Sequence, residues 1–485
     1  MPTLRLRLKP AVDATFERGI RDIQQAFDLP LAFPAEVESS AAQAAVSPRL
    51  PDHDRTDLPL VTIDPSGAMD LDQAMCLQRS ESGYVVFYAI ADVAAFVSAG
   101  DPVDVEAHRR GQTLYGADSR IPLHPPILSE GAASLLPMAM RPAVLWTLHL
   151  DARAQVIAAD VRRARVMSRA RFDYASVQRS LDEGTADPAW QLLREIGQLR
   201  QVLEIERGGV SLGLPAQEIG KQDGGWRLEY RSMDPIEGWN AQISLMAGMA
   251  AAQLMLKGNV GLLRTLPPPP AEAIARLRVT ARALAIAWPP AMDYPTFIRT
   301  LDPSRRGHVA MMTACTTVLR GAGYAAFDGE PPAQPLHSAI AAPYAHVTAP
   351  LRRLGDRYAS EACLAISAGQ PVPSWVREAL PTLPAELRES DRRANLYQRA
   401  IIDLAEALLL APHVGESFQG SIVAVAAIAS RGGTVMLKDL AIEAQVSGLA
   451  DHVLGDEVLV RLVEDDPVRR VVNFRLHGDS PAALG

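Results

Sequence analysis

Three aspartates lie within nine residues near the start of the chain, in an otherwise apolar setting. Asp64 follows the β-branched residues 61–63, which predict a strand, and the turn residues 65–67 come next. If the chain then continues in extended form, Asp70 and Asp72 share one face, because side chains alternate along a strand. Converging carboxylates repel one another unless a cation neutralises them, and hard oxygen ligands suit Mg²⁺ or Mn²⁺. An acidic loop that merely faces water fits the spacing equally well.

A second segment, residues 343–356, combines a proline corner with a pair of arginines. Arg352 and Arg353 follow Pro350, and the apolar spacing after them predicts a helix. Planar guanidinium groups are suited to bidentate binding of phosphate oxygens. Considered alone, however, such a pair is more often a solvated helix start than a phosphate site.

Together, the two segments resemble the signatures of the ribonuclease II family (RNB domain). Residues 62–74, TIDPSGAMDLDQA, are similar to the family pattern T-I-D-x5-D-x-D-D-A. Residues 344–356, YAHVTAPLRRLGD, are similar to Y-x-H-x-T-S-P-[IL]-R-R-x-x-D. Their order and separation argue against chance, and the resemblance extends over residues 51–410. One position departs from the pattern, since Gln73 stands where the family has its fourth aspartate.

The resemblance implies an α+β fold, in which an RNB catalytic domain of mixed sheet and helices precedes an OB-type β-barrel. It implies a processive 3′→5′ exoribonuclease that hydrolyses single-stranded RNA with a free 3′ end to 5′-nucleoside monophosphates. The cofactor is then Mg²⁺, with Mn²⁺ as an alternative, and two such cations lie about 4 Å apart at the scissile phosphate. Asp70 and Asp72 are catalytic through the metals, and Arg352 stabilises charge on the phosphoryl oxygens. The implied metal ligands are Asp64, Asp70, Asp72 and, through an uncharged carbonyl oxygen, Gln73.

Substrate contacts are implied at four further positions, Tyr115, His346, Thr348 and Arg353. Tyr115 takes the place of an aromatic residue that stacks on the terminal nucleotide, although a lone tyrosine more often packs in a core. His346 and Thr348 bind the RNA backbone or a 2′-hydroxyl, or they only orient the arginines. Asp92 follows a predicted strand and either holds substrate or caps the strand end.

The missing charge at Gln73 supports a different hypothesis, in which the chain is a catalytically impaired RNB scaffold that binds RNA. Activity is favoured because the three aspartates and Arg352 all remain. The preferred RNA, the tolerance of duplex and the length of the final product are not determined by the sequence.

Bulk composition agrees with a large enzyme in a reducing cytoplasm. The 485 residues exceed one ordinary core, and 48% hydrophobic residues can fill more than one. The cysteines, Cys76, Cys315 and Cys363, are too scattered for a disulfide or a zinc site. A net charge of −8 does not point to nucleic acid, but an enclosed channel can be basic inside an acidic exterior. The arginines of residues 162–171 could line one, although a solvated face is favoured, and we expect a monomer without a membrane-spanning segment.

Composition shifts predict three regions. Residues 1–50 are expected to form a short helical region, with helix-turn-helix as one form it could take, because apolar residues from Phe16 to Phe27 have helical spacing. Residues 51–411 are expected to form the catalytic domain, which ends in a long helix. Residues 412–485 are expected to form the OB-type RNA-binding barrel and a tail.

Five short strands are predicted within the barrel, at residues 418–426, 434–437, 441–446, 457–463 and 471–476. Barrels of this type frequently bind single-stranded nucleic acid through exposed aromatic residues. The main candidates here are Phe418 and Phe474, either of which could instead belong to the core.

Overall fold

The computed structural model describes residues 10–117, 119–213, 216–222, 225–303, 305–425, 432–438, 440, 442–449 and 454–477. The helices are α1 (Pro10–Ala26), α2 (Ala35–Val46), α3 (Pro102–Arg110), α4 (Tyr174–Asp182), α5 (Pro188–Glu206), α6 (Pro235–Gly258), α7 (Ala271–Ala283), α8 (Tyr294–Arg299), α9 (Arg306–Cys315), α10 (Leu354–Ser367), α11 (Ser374–Ala379) and α12 (Leu383–Leu410). Short 3₁₀ turns lie at Val93–Ala95, Thr316–Leu319 and Ala411–His413, and a π-helical turn lies at Ile127–Ala132.

The strands are β1 (Leu60–Asp64), β2 (Gln73–Ser80), β3 (Gly83–Ala91), β4 (Leu114–Tyr115), β5 (Arg120–Ile121), β6 (Met140–Asp151), β7 (Val156–Asp173), β8 (Ala216–Gln222), β9 (Gly225–Arg231), β10 (Val260–Thr265), β11 (Gly323–Asp328), β12 (Leu336–His337), β13 (Ala342–Pro343), β14 (Ser417–Val425), β15 (Gly433–Leu437), β16 (Glu443–Ser447), β17 (Glu457–Asp466) and β18 (Val471–Leu476).

A closed barrel with the strand order β1-β2-β3-β6-β7 organises the first part of the chain. Most neighbouring strands are antiparallel, but β1 runs parallel to β7, so the sheet is mixed as expected. Side chains alternate between the two faces of the sheet, as expected for strands. Tyr88 and Trp146 belong to one apolar cluster, whereas their neighbours Ala89 and Leu145 belong to another. The segment that joins β1 to β2 carries the three aspartates. Because it connects two neighbouring strands, it lies at one end of this barrel.

Helix α6 contains the apolar run that predicts a buried helix near residues 243–256. It begins at a capping interaction, in which the Glu237 carboxylate accepts a hydrogen bond of 2.9 Å from the Asp234 N–H. Ile243, Met246 and Ala251 are completely buried, so packing accounts for the apolar run. Within the described part of the chain, every helix is too short or too polar to span a membrane.

The C-terminal part forms a second closed barrel, with the strand order β14-β15-β16-β18-β17. It confirms the predicted five-stranded OB-type barrel, although the predicted strand ends at Ala426 and Ala441 lie outside the described residues. Phe474 is 1% exposed and belongs to the barrel core. Phe418 packs edge-on against it, with ring centroids 5.7 Å apart.

The N-terminal region is helical, as expected, and its two helices pack on different parts of the protein. Phe16 of α1 is fully buried and meets the Trp226 ring of β9 edge-on, with centroids 4.9 Å apart. On α2, Val37 and Ala41 are buried in the same apolar cluster as Leu71 of the acidic segment. The proposed division of the chain into three domains stays a prediction.

The long helix α12 connects the two cores. Leu387, near its start, packs in the cluster that contains Tyr88 and Trp146 of the first barrel. Leu404 and Leu408, near its end, pack in the cluster that contains the second barrel. The predicted helical spacing of the apolar residues 397–408 is therefore explained by burial against that barrel.

Candidate active site

The acidic loop, residues 64–73, brings the predicted metal ligands Asp64, Asp70 and Asp72 to one end of the first barrel. Strand β1 ends at Asp64, and Gly67 then turns the chain with a φ of +81°, which favours glycine. The chain returns past Asp70 and Asp72 and enters β2 at Gln73. The predicted strand, turn and return are thus all present.

A serine from the following segment fixes the returning half of this loop. Leu71, between the two aspartates, is fully buried. Its N–H donates to Ser134 Oγ at 3.0 Å, and that hydroxyl donates to the Met69 carbonyl at 2.6 Å. The Leu71 carbonyl accepts a further bond of 3.0 Å from the Leu135 N–H. The flanking carboxylates are therefore carried on a backbone that is held on both sides.

Asp72 is 3% exposed and is bonded through both oxygens. Oδ1 accepts a hydrogen bond of 2.8 Å from the Leu351 N–H, and Oδ2 accepts one of 3.2 Å from Arg352 Nε. Burial raises the pKa of Asp72 to about 7, although Arg352 acts in the opposite direction. A positive charge at this point favours the ionised carboxylate, so Asp72 is suited to lie beside a cation.

Asp64 is the carboxylate of the acidic loop with a buried oxygen left unbonded. Its Oδ2 is buried and has no hydrogen-bond partner in the described structure. Burial raises the pKa of Asp64 to about 7. A buried, unpartnered oxygen within a set of carboxylates fits a hard divalent cation. In the described ranges, no three His, Cys, Asp or Glu side chains already surround a common metal position, and arginines pair with Asp70 and Asp72.

The two arginines of the arginine loop, residues 348–353, have different partners. Arg353 makes a bidentate pair with Asp356, with Nε–Oδ1 and Nη2–Oδ2 distances of 3.0 and 2.8 Å. Asp356 is fully buried and also accepts a bond of 2.7 Å from the Ala349 N–H. Arg353 therefore stabilises the loop, and its predicted substrate contact stays a prediction. Arg352 reaches Asp72 through Nε, while its side chain is 43% exposed.

Tyr115 lies on the short hairpin β4–β5, beside the arginine loop. The Thr113 N–H donates to the Arg352 carbonyl at 3.0 Å, which joins the two segments. Tyr115 is 47% exposed, which is more than a core residue has. Desolvation raises the pKa of its hydroxyl to about 12, and Arg352 and Asp70 are close enough to act on it. An exposed ring beside the carboxylates offers a face on which a base could stack.

Gln73 connects the acidic loop to the arginine loop. Its Nε2 donates a hydrogen bond to the Thr348 carbonyl. Thr348 is 3% exposed, and its hydroxyl lies 2.9 Å from Ser244 Oγ on α6. The carbonyl and the hydroxyl of Thr348 thus both have protein partners. A metal contact by Gln73 and a substrate contact by Thr348 stay predictions.

His346 is placed among aromatic rings beneath the arginine loop. Its Nδ1 lies 2.8 Å from the Tyr324 hydroxyl, and its ring meets the Tyr344 ring edge-on at 5.4 Å. Burial and the nearby Arg353 and Arg264 hold the pKa of His346 well below its usual range. The imidazole is therefore neutral, so it can exchange hydrogen bonds with a ligand but carries no charge to neutralise an anion.

The residues of the predicted basic stretch take part in internal contacts. Arg163 Nε donates to Asp92 Oδ2 at 2.7 Å, and Arg163 Nη2 donates to Glu361. Asp92 is 2% exposed, so this ion pair holds β7 and α10 near the end of β3. Arg171 donates to the Ala68 carbonyl at 2.9 Å and supports the acidic loop.

No sequence pattern indicates a role for Arg120, which reaches the acidic loop from β5. Its Nη1 lies 2.5 Å from Asp70 Oδ1, and its Nη2 lies 2.8 Å from Glu130 Oε1. Asp70 and Arg120 are fifty positions apart, so no local spacing could pair them. In the structure Arg120 is the cross-strand partner of Tyr115, but two-residue strands carry no sequence signal that could have revealed this pairing.

Comparison with known proteins finds two matching families. The RNB domain matches residues 52–365, and the RNase II-type exonuclease C-terminal S1 domain matches residues 416–477, where the second barrel lies. Ribonuclease R of Escherichia coli strain K12 is 27% identical over 474 residues, which cover 90% of this chain and 57% of the relative. The chain thus spans a little over half the length of that curated relative.

Solved structures share the fold over nearly the whole chain. Mycoplasma genitalium RNase R in complex with ribose methylated single-stranded RNA has a TM-score of 0.85 at 19% identity, covering 95% of this chain and 78% of that one. Yeast Ssd1, whose structure is called that of a pseudonuclease, has a TM-score of 0.67 at 14% identity, covering 92% and 58%. At these identities the likeness concerns the fold alone. Because the RNB match covers more than half of the sequence, the chain belongs to the RNB-domain family.

Proposed function

We propose that this chain is a divalent-metal-dependent exoribonuclease, which degrades single-stranded RNA processively from a free 3′ end and releases 5′-nucleoside monophosphates. The observation that carries the proposal is the direct contact between Asp72 of the acidic loop and Arg352 of the arginine loop. It places a carboxylate cluster and a partly exposed guanidinium at one point, as hydrolysis of a phosphodiester requires. Curated relatives named Ribonuclease R support RNA as the substrate.

The carboxylates of the acidic loop would hold the cation. Asp64 offers a buried oxygen without a partner, and Asp70 lies close enough to both Asp64 and Asp72 to influence them electrostatically. Mg²⁺ would bind here, with Mn²⁺ as the alternative. When bound, such a cation lowers the pKa of a water molecule and stabilises charge on the leaving oxygen.

Arg352 would bind the phosphate that is cleaved. Its Nε is held by Asp72, and its backbone carbonyl is held by Thr113, so the guanidinium is positioned before substrate arrives. The described contacts do not use its Nη groups, and the side chain is 43% exposed. Those groups can therefore donate to phosphoryl oxygens, which gain negative charge in the transition state.

Neighbouring residues would position the end of the RNA strand. The half-exposed Tyr115 ring can stack on the last base, and the neutral His346 can exchange a hydrogen bond with a 2′-hydroxyl. Arg353 and Thr348 would act through the shape of the arginine loop, since their polar groups already bind Asp356, Ser244 and Gln73.

A 5′-labelled oligoribonucleotide tests the polarity and metal dependence of the reaction. With Mg²⁺ the RNA should shorten stepwise from its 3′ end, and EDTA should stop the reaction. An all-DNA oligomer should be cut poorly, because it lacks the 2′-hydroxyl. Internal fragments early in the time course would identify an endonuclease and overturn the proposal.

Replacement of Asp72 separates chemistry from binding. Asp72→Asn preserves the size of the side chain but removes the charge, so cleavage should fall by more than about 100-fold. RNA affinity, measured by fluorescence anisotropy, should be equal or higher because repulsion from phosphate is reduced. Asp57→Asn is the matched control, since Asp57 is 67% exposed and pairs with Arg55 away from the loop. A proportional loss of affinity and rate in Asp72→Asn would mean that Asp72 only positions RNA.

A catalytically impaired RNA-binding scaffold is the second candidate function. Two observations favour it: Gln73 supplies no charge, and the Asp70 carboxylate is already paired with Arg120. Yeast Ssd1, which shares the fold and whose structure is called that of a pseudonuclease, is a precedent for this fold in a protein that is not a working nuclease. RNA binding without cleavage at any Mg²⁺ or Mn²⁺ concentration would establish this candidate.

A further inference from the structure

Arg120 lies between two carboxylates at the edge of the acidic loop. Its Nη1 is 2.5 Å from Asp70 Oδ1, and its Nη2 is 2.8 Å from Glu130 Oε1. The side chains of Arg120, Asp70 and Glu130 are 26%, 12% and 29% exposed. Partial burial limits screening by salt, so the guanidinium acts on Asp70 as a fixed positive charge.

The hairpin holds Arg120 in this position. Arg120 pairs with Tyr115 across the two strands, and the next pair, Leu114 with Ile121, anchors the hairpin in an apolar cluster. Leu114 and Ile121 are 2% and 5% exposed. The backbone of Thr113, one residue before β4, is bonded to the arginine loop. Arg120 thus belongs to the frame of the site rather than to a mobile surface loop.

The charges of the acidic loop are already largely balanced by side chains. Asp70 has Arg120 as its partner, and Asp72 has Arg352. Gln73 adds no charge, and its amide is used in a bond to the Thr348 carbonyl. Of the three carboxylates, Asp64 retains a buried oxygen without a partner. Within the described structure, Arg352 and Arg171 act on Asp64 only through their electrostatic field, so the open Asp64 oxygen leaves room for one further positive ion.

We propose that the Arg120 guanidinium is a built-in cation at Asp70, which takes the place of one metal ion, so that the site binds a single divalent cation beside Asp64. This inference rests on the proposed function, because it assumes that the acidic loop is a metal site. Arg120 is a positioning residue in this scheme, since it acts through Asp70.

Metal binding by the full chain without RNA tests this inference. Titration with Mn²⁺, followed by calorimetry and by the electron paramagnetic resonance of free Mn²⁺, should give one ion per parent chain and none in Asp64→Asn. Arg120→Met should bind a second ion, or bind the first on the order of tenfold more tightly, because an opposing charge at this range is worth about one logarithmic unit. Arg120→Lys keeps the charge and should behave as the parent.

Two further variants complete the design. Arg169→Gln removes the same charge from an arginine that donates to the Thr56 carbonyl, and it should leave Mn²⁺ binding unchanged. Glu130→Gln leaves Asp70 as the single carboxylate partner of Arg120, so Mn²⁺ should bind several-fold more weakly; this variant also serves if Arg120→Met does not fold. Two ions on the parent chain, unchanged binding in Arg120→Met or tighter binding in Glu130→Gln would overturn the inference. Absence of RNA cleavage would overturn only the proposed function, because these titrations contain no RNA.

Discussion

Asp64 and Asp72 are both removed from water at the end of the first barrel, and each depends on a neighbouring positive charge to remain ionised. Arg352 supplies that charge to Asp72 by direct contact. It acts on Asp64 only electrostatically, and one buried oxygen of Asp64 has no partner. Burial raises the pKa of both groups to about 7. At the residue scale, the site is therefore destabilised by its own charge until a cation binds, and binding should stabilise the folded protein.

Gln73→Asp should increase the stabilisation that a bound divalent cation gives to the folded protein. The change removes the bond from Gln73 Nε2 to the Thr348 carbonyl and places a carboxylate against that carbonyl, so the melting temperature without metal should fall. A lost buried hydrogen bond of this kind costs about 1–3 kcal/mol. With Mg²⁺, the new carboxylate becomes a ligand, so the rise in melting temperature should exceed that of the parent. Gln73→Ala is the control, and equal metal-dependent shifts in the two variants would place position 73 outside the coordination shell.

Tyr115→Ala should change the final product without changing stability. The ring is 47% exposed, so its removal leaves little cavity, whereas the loss of base stacking weakens the hold on the last nucleotide by about 1–3 kcal/mol. Denaturing gels should reveal a different limit product, and thermal melting should match the parent. Tyr115→Phe keeps the aromatic face and should give the parental product. If phenylalanine and alanine at this position behave alike, the hydroxyl and not the stacking face is what matters.

At the scale of elements, local patterns predicted some features and could not predict others. The alternation of apolar residues predicted the strands of the second barrel because one face of each packs in its core. The acidic loop was predictable because turn residues and a strand lie next to it in sequence. The β4–β5 hairpin was not, since its strands have two residues each and carry no periodic signal. The Arg120–Asp70 and Arg353–Asp356 pairs depend on tertiary placement or rotamer choice, which spacing does not specify.

The contact between α12 and the second barrel contains an acid that should make stability depend on pH. Glu406 is 3% exposed and accepts bonds from Gln217 Nε2 at 2.8 Å and the Glu443 N–H at 3.2 Å. Arg399 is 3.6 Å away, and the Asp403 carboxylate also lies nearby. Burial raises the pKa of Glu406 to about 7, so the folded state retains a proton that the unfolded state loses at lower pH.

Glu406→Gln should reduce the change of the unfolding free energy with pH. Because the pKa is raised on folding, the contribution of Glu406 is fully present below about pH 4.5 and is lost as the pH rises through about 7. The parent should therefore lose about 1–3 kcal/mol of unfolding free energy between these limits, and the variant should lose less. Urea unfolding at pH 5.5 and pH 8 measures the difference. Glu389→Gln, on the exposed face of the same helix, is the control, and parallel curves for Glu406→Gln and the parent would contradict the argument.

At the scale of the whole molecule, α12 joins the two barrels, because its two ends pack in the two different apolar clusters. Its first turns pack through Leu383 and Leu387 in the apolar cluster that includes the first barrel, and its last turns pack with the second barrel. Helix α1 closes the same junction, since a Cβ at Gly19 would lie 2.5 Å from Leu404 Cδ2. The second barrel, α1 and the end of α12 therefore share a continuous apolar core and should unfold as one cooperative unit.

Leu404→Ala tests this cooperativity. Leu404 is 4% exposed at the junction, and truncation of a buried leucine leaves a cavity that costs about 2–5 kcal/mol. Hydrogen exchange should accelerate together in α1, in the last turns of α12 and in the second barrel, while the first barrel and the acidic loop keep their protection. Leu396→Ala is the matched control, because Leu396 is 48% exposed on the same helix and its loss should change little. Faster exchange confined to α12 would mean that the barrel is stable by itself, whereas equal acceleration everywhere would mean that both barrels form a single folding unit.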